Sequence, residues 1–241
     1  MSIEIVPLAE ADIPGAVDCL QRAFSDDPYF KWVFNEPSKF NIERNAASLA
    51  SHFRYAINCN DPLFVARVSQ SASEVKDDRE LKLQAGRIVG VSWWCSPRQA
   101  SVPQTWSVWA QDWLLSFRQL MNNILFWGRG GLNASRYWIY KEVQRETHKE
   151  LWKDPRGYYF CNVLCVSSAV RGMGVGKRLM EVVMDKADEK KMPCYLESSK
   201  GYPNVLIYEK MGFELAKEIE CVDGGDVCKL YCMVRSPRIK T

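Results

Sequence analysis

The chain has 241 residues, 47% hydrophobic and 25% charged, with a formal net charge of +3. This is the composition of a soluble globular protein with length enough for a full core. The charge is too small, and the basic residues too interleaved with acids, for a nucleic-acid surface. No run reaches the roughly 18 apolar residues of a membrane span. The start, MSIEIVPLAEADIPG, lacks the basic-then-apolar order of a signal peptide. Nine cysteines without a C-x-x-C pair fit thiols in the reducing cytoplasm rather than disulfides, and two histidines far apart in sequence give no zinc spacing, so no metal is expected.

In chain order, Ile3 to Pro7 reads as a strand. A helix follows from about Asp12, a capping residue, with Pro14 in its first turn and Val17, Leu20, Ala23 and Phe24 on one stripe. SDDPYFKWVFNEP breaks that helix and starts a short second one, whose aromatics (Tyr29, Phe30, Trp32, Phe34) suit core or a substrate wall. NIERNAASLASHFRYAINC is a further helix, and PLFVARVS and RIVGVSWWCSP are strands. Between these strands QSASEVKDDRELKLQAG is polar and reads as a hairpin excursion. Residues 101–150 form a helical insertion. Trp106, Trp109 and Trp113 share a helix face there, which predicts burial against the sheet over the alternative of a ligand-stacking surface. SRYWIYKEVQRETHKELWKDP continues as helix or mixed structure. GYYFCNVLCVSS is a strand, PCYLESS another, and GYPNVLIYEKMGF a turn with a short helix. ELAKEIEC and VCKLYCMVR close the chain as a hairpin about VDGGD. The order predicts one α/β domain over 1–241 with a mixed sheet.

The stretch VSSAVRGMGVGKRLMEVVMDKADE carries the chemistry. Gly172, Gly174 and Gly176 stand where a strand gives way to a helix whose apolar face is Leu179, Val183 and Ala187. A helix N-terminus has free amides and a positive dipole end. Without side chains at 172, 174 and 176, a phosphate oxygen can reach those amides. The P-loop of nucleoside-triphosphate-binding proteins needs Ser or Thr after Gly-Lys, and Arg178 stands there. The dinucleotide fingerprint needs G-x-G-x-x-G, and the spacing here is G-x-G-x-G.

Arg171-Gly172-Met173-Gly174-Val175-Gly176 resembles the Arg/Gln-x-x-Gly-x-Gly/Ala signature of the GNAT superfamily of acyl-CoA-dependent N-acetyltransferases. YLESSKGYPNVLIYEKMGFE resembles that family's next strand and helix, with Ile207 where leucine is usual. The early AFSDDPYFKWVF is similar to the first helical region of fungal-type and drug-modifying members. The resemblance is clearest over 158–215. It implies a single GNAT-like domain whose mixed central sheet has two splayed parallel strands, with acetyl-CoA lying in the gap. Backbone groups of Leu164, Cys165 and Val166 would pair with pantetheine like an added strand. Amides from Arg171 through Lys177, Met173 and Val175 included, would hold the pyrophosphate. The amide of Val166 would serve as oxyanion donor.

On the same resemblance Tyr208 is the general acid toward the departing thiolate, against the plainer reading of a half-buried helix tyrosine. Glu197, at the end of a strand lining the gap, is the candidate general base, with a pKa raised by burial, or else a salt-bridged strand-end acid. Asn204 is either a cofactor contact or a helix cap after Pro203. The acceptor side is expected from residues 24–34 and the 101–150 insertion. Asp26 and Asp27 would hold an ammonium, Phe30 would be part of the wall, and one of Trp93 and Trp94 would face the gap. The implied activity is direct acetyl transfer to a small-molecule amine, in a monomer or homodimer; the alternatives are a protein or peptide acceptor, or a non-catalytic CoA-binding sensor.

Overall fold

The computed structural model of the chain describes residues 2–69, 85–99, 101–152 and 154–238. The polar excursion expected at 70–86 lies almost wholly outside the described residues. Among the described residues, seven strands form one sheet in the order β1-β2-β3-β4-β5-β7-β6. They are β1 (Ile3–Pro7), β2 (Leu63–Val68), β3 (Ile88–Cys95), β4 (Tyr159–Val166), β5 (Cys194–Ser198), β6 (Glu214–Asp223) and β7 (Asp226–Arg235). Every neighbouring pair is antiparallel except β4 with β5, which is parallel.

The helices divide between the two faces. On one lie α1 (Ile13–Ala23), α2 (Pro28–Val33), α3 (Ile42–Asn58) and α5 (Ala134–Leu151). On the other lies α6 (Val175–Glu189). Polar residues start most of them: the side chains of Asp27, Asn41 and Asn133 each accept the amide three residues on, closing the first turns of α2, α3 and α5. Asp12 stands at the start of α1, but its carboxylate accepts the amide of Ala9 at 3.0 Å, so it closes the preceding turn instead of the helix.

Alternation of side chains fixes which residues meet which layer. Leu63, Val65, Val91 and Trp93 pack under α1 and α3, whereas Trp94, Cys161, Cys194 and Leu196 pack against Met180, Val183 and Met184 of α6. Tyr195, Cys221, Leu230 and Cys232 face α2 and α5.

Two features set the position of α5, which carries part of the site. Arg136 is buried, with Nε 2.8 Å from Asp223 and a second bond to Asp226, so it fastens α5 to the β6–β7 turn. Its guanidinium also lies 5.3 Å from the ring centre of Trp32 on α2.

The other half of the insertion, α4 (Trp106–Leu125), corrects an expectation. It packs on α3 rather than on the sheet, and it does so through polar groups. Tyr55 donates to Asp112 at 2.7 Å, Ser48 to Gln119 at 2.9 Å, and Arg44 to Asn123 at 2.7 Å. With that polar face turned inward, the tryptophan stripe turns outward: Trp106 is 82% exposed and Trp113 63%.

Candidate active site

The parallel pairing of β4 and β5 is short. It joins Tyr159 to Cys194, Phe160 to Tyr195 and Cys161 to Leu196, and then stops. On its other side β4 continues to pair with β3 through Leu164, Cys165 and Val166. The β3–β4 register shifts between Trp93 and Trp94, so that Asn162 is the extra residue of a bulge. Beyond Asn162 the β5-facing edge of β4 carries backbone donors and acceptors that no strand takes up among the described residues.

Beyond β4 the chain makes one helical turn at Ser168–Val170 and enters the glycine segment. Gly172 and Gly174 have φ of +81° and +72°, a region that costs other L-residues about 1–2 kcal/mol. A Cβ built at either would have no described atom within 4 Å. Gly174 caps α6, whose first amides, on Val175, Gly176 and Lys177, have no acceptor within the helix. The turn is therefore an open, amide-lined cradle next to an unpaired strand edge.

On the face bearing α1, α2, α3 and α5, a cavity of about 710 Å³ opens at Asn162 and Val163, where the strands part. Its walls are strongly aromatic, with Phe24, Tyr29, Phe30, Trp93, Tyr137 and Tyr158 among them. At its floor lies Glu197, whose side chain is 5% exposed. Both oxygens of Glu197 are taken up. Oε1 accepts from Tyr195 at 2.9 Å and faces His148 Nε2 at 3.1 Å; Oε2 accepts from Gln144 at 2.8 Å and Tyr140 at 3.0 Å. Burial pushes this carboxyl up, but the bond and charge of His148, with the bonds from Gln144 and Tyr195, outweigh it, and the net shift is downward. The raised value expected of Glu197 is thus reversed.

Comparison with known proteins adds to this geometry. Residues 133–215 match the family model described as an acetyltransferase (GNAT) domain. An uncharacterized N-acetyltransferase of Schizosaccharomyces pombe is 31% identical over 135 residues, which cover 53% of this chain and 57% of that protein. Over residues 133–215 the chain is thus similar to GNAT acetyltransferases. It spans less than two thirds of the length of the curated relatives that it matches. Two solved structures share the fold. One is described as histone acetyltransferase HPA2 and related acetyltransferase, from Corynebacterium glutamicum, with 22% identity and a TM-score of 0.56, covering 100% of this chain and 99% of that one. The other is arylalkylamine N-acetyltransferase 2 from Aedes aegypti, with 16% identity and a TM-score of 0.56, covering 99% and 100%.

Within this fold the expected residues separate into groups. Leu164, Cys165 and Val166 lie on the half of β4 past the split, and Arg171 to Lys177 form the cradle. Tyr208 is on α7 (Asn204–Glu209), beside Phe213, and burial with nearby Cys161 and Asp27 pushes its phenol well up. Asn204 opens that short helix and its amide points to Ser198 Oγ at 3.5 Å.

Asp27 lines the cavity, but its carboxylate is occupied. It accepts the amide of Phe30 at 3.0 Å and the hydroxyl of Ser199. Asp26 pairs with Lys200 at 3.1 Å outside the cavity wall. Phe30 lines the cavity in a cluster with Phe34 and Phe40. Trp93 lines it too and donates to Asp61 at 3.4 Å. Trp94, one residue on, is fully buried on the α6 side, where it donates to Ser92 at 2.8 Å; it has no place in the cavity wall.

Reading the sequence did not single out His148, Tyr140, Gln144 or Tyr158. Three of them, Tyr140, Gln144 and His148, recur every fourth residue along α5 and so share a face. That spacing was visible, but nothing in it distinguishes an inward polar face from a solvated one. Among the described residues, no group of His, Cys, Asp and Glu gathers as a metal site, and no helix is long and apolar enough to cross a membrane.

Proposed function

We propose that the chain is an acetyl-CoA-dependent N-acetyltransferase that acetylates a small amine with an aromatic or apolar body. The observation that carries this reading is the split of β4 from β5 after Cys161, with an aromatic cavity on one side of it and the amide cradle at Gly172–Gly174 beyond. The residues present fit coenzyme A. The edge of β4 at Leu164–Val166 offers backbone groups to an extended amide chain, and the cradle offers amides to a pyrophosphate. Bound acetyl-CoA would supply the activated acetyl thioester.

The chain's own residues supply the rest. The Val166 amide would donate to the thioester oxygen as charge develops there. Tyr208, a phenol kept protonated by burial, donates toward the thiolate. The cavity walls orient the acceptor and exclude water. An aromatic enclosure of this size favours a compact amine over a folded protein surface. The mosquito enzyme named for arylalkylamines has the same fold, which is consistent with that preference.

The test is a screen of arylalkylamines, polyamines and short peptides with acetyl-CoA, read by coenzyme A release and by the mass of the product. Acetylation of one class of small amines is the expected result. Transfer to peptides alone would move the acceptor to that class. Binding of acetyl-CoA with no transfer to any acceptor would leave a sensor.

A further inference from the structure

We propose that Tyr158, His148 and Glu197 form a proton relay that removes the proton from the acceptor ammonium. Tyr158 and His148 move the proton, and Glu197 positions His148. This rests on the acetyltransferase reading above, and it assigns the base function to residues that the sequence did not suggest.

The bonds run in one line. The Tyr158 hydroxyl lies 2.7 Å from His148 Nδ1, and His148 Nε2 lies 3.1 Å from Glu197 Oε1. An ionised carboxylate only accepts, so Nε2 carries the hydrogen. Neutral His148 then has its lone pair at Nδ1, where Tyr158 donates. Glu197 is itself immobilised by Tyr140, Gln144 and Tyr195. The imidazole ring is held edge-on by Tyr195 at 5.0 Å and Phe160 at 5.5 Å between centroids. Tyr158 and His148 both line the cavity.

Rival bases in the cavity are less well placed. With four bonds to its two oxygens, Glu197 has no lone pair left for a substrate. Asp27 is spent on the Phe30 amide and Ser199. Asp61 accepts from the Ser96 amide at 3.1 Å and from Trp93. His52 faces the Ser48 carbonyl through Nδ1 at 2.8 Å, and no carboxylate stands behind its ring among the described residues.

The step balances without a co-reactant. The ammonium N–H bond breaks as the proton passes to the Tyr158 oxygen. The Tyr158 O–H bond breaks as its proton passes to His148 Nδ1. The products are a neutral amine, an unchanged phenol and an imidazolium whose Nε2–H remains on the Glu197 carboxylate. Loss of the Nδ1 proton to water, by the reverse route, restores the relay.

The chain has two histidines, so ¹⁵N-histidine spectra of the whole protein contain two ring systems, and His52→Gln assigns them. Expected for neutral His148 is the Nε2–H tautomer, an Nδ1 shift that moves in Tyr158→Phe, and mixed tautomers in Glu197→Gln. An Nδ1–H tautomer, or a Tyr158→Phe spectrum identical to the wild type, overturns the relay. In parallel, tryptamine serves as the probe acceptor with acetyl-CoA. His148→Ala should lower turnover roughly 10²-fold with acetyl-CoA affinity within a factor of about two, and added imidazole should restore part of it. His148→Gln is the second variant should alanine unfold the chain. Full turnover in either also overturns the proposal. Failure of the wild type to acetylate tryptamine counts against that acceptor class, and the spectra then decide the relay alone.

Discussion

Arg235 at the end of β7 and Asp188 near the end of α6 form a two-point ion pair, at 2.8 and 2.7 Å, with both side chains buried. The Arg238 amide adds a third bond to Asp188 at 2.8 Å. Removing one partner of a buried pair strands the other charge, so Arg235→Met should cost about 3–5 kcal/mol in denaturant unfolding, and Asp188→Leu/Arg235→Met should recover most of it. Burial pushes the Asp188 carboxyl up, but Arg235 and Arg238 pull it further down, so its net position is below the ordinary range. A folded value below the unfolded one means stability that is present above the unfolded carboxylate value of about 3.9 and lost as pH falls through the folded one. Stability of the wild type should therefore drop below about pH 4, and an Asp188→Asn variant should lose that part of the slope.

Gly174→Asp tests the cradle. The site has φ of +72° and open space where the Cβ would go, so the packing can accommodate the side chain at the cost of backbone strain. The new carboxylate would stand where the pyrophosphate is proposed to sit. Calorimetry on the folded variant should show acetyl-CoA affinity reduced by well over tenfold, about 1.4 kcal/mol or more, with Gly174→Ala losing less.

Tyr208→Phe keeps the ring against Phe213 and removes one hydroxyl. Acetyl-CoA affinity should stay near the wild-type value while turnover falls roughly 10²-fold, the usual range for a positioned acid. An unchanged turnover number would give that proton to water.

The two tryptophan sets should behave oppositely. Trp93 is 8% exposed and lines the cavity, so Trp93→Ala should raise KM for the acceptor and lower the melting temperature. Trp106 is 82% exposed, and Trp106→Gln should leave unfolding free energy within about 0.5 kcal/mol and leave acceptor KM unchanged.

Much of this arrangement could be read from the sequence because local chemistry dictated it. The strand–glycine–helix passage from Tyr159 to Glu189 is set by its glycines and apolar period, and the hairpin about Gly224-Gly225 by its turn residues. What failed to show depended on tertiary contacts. The Trp106–Trp113 stripe looks like core because aromatic stripes usually are; the partners that turn it outward, Tyr55, Ser48 and Arg44, are on another helix. Burial of Glu197 suggested a raised pKa. Its sign was decided by donors on α5, a helix whose docking rests on Arg136 reaching Asp223 and Asp226, 87 and 90 residues away.

The short pairing between β4 and β5 also divides the sheet. Strands β1 to β4 and β5 to β7 are each joined along their lengths, whereas the two blocks share three residue pairs, ending at Cys161–Leu196. A sheet with such a seam does not lose its order uniformly: the least costly partial opening runs along the seam, while amides on β2, β3 and β7 wait for global unfolding. In hydrogen exchange the β4 amides on the β5 side, around Cys161, should therefore be the first of the central sheet to lose protection. Anything laid along that edge as an extra strand would act as mortar, and protection there should rise first as the protein is saturated with it.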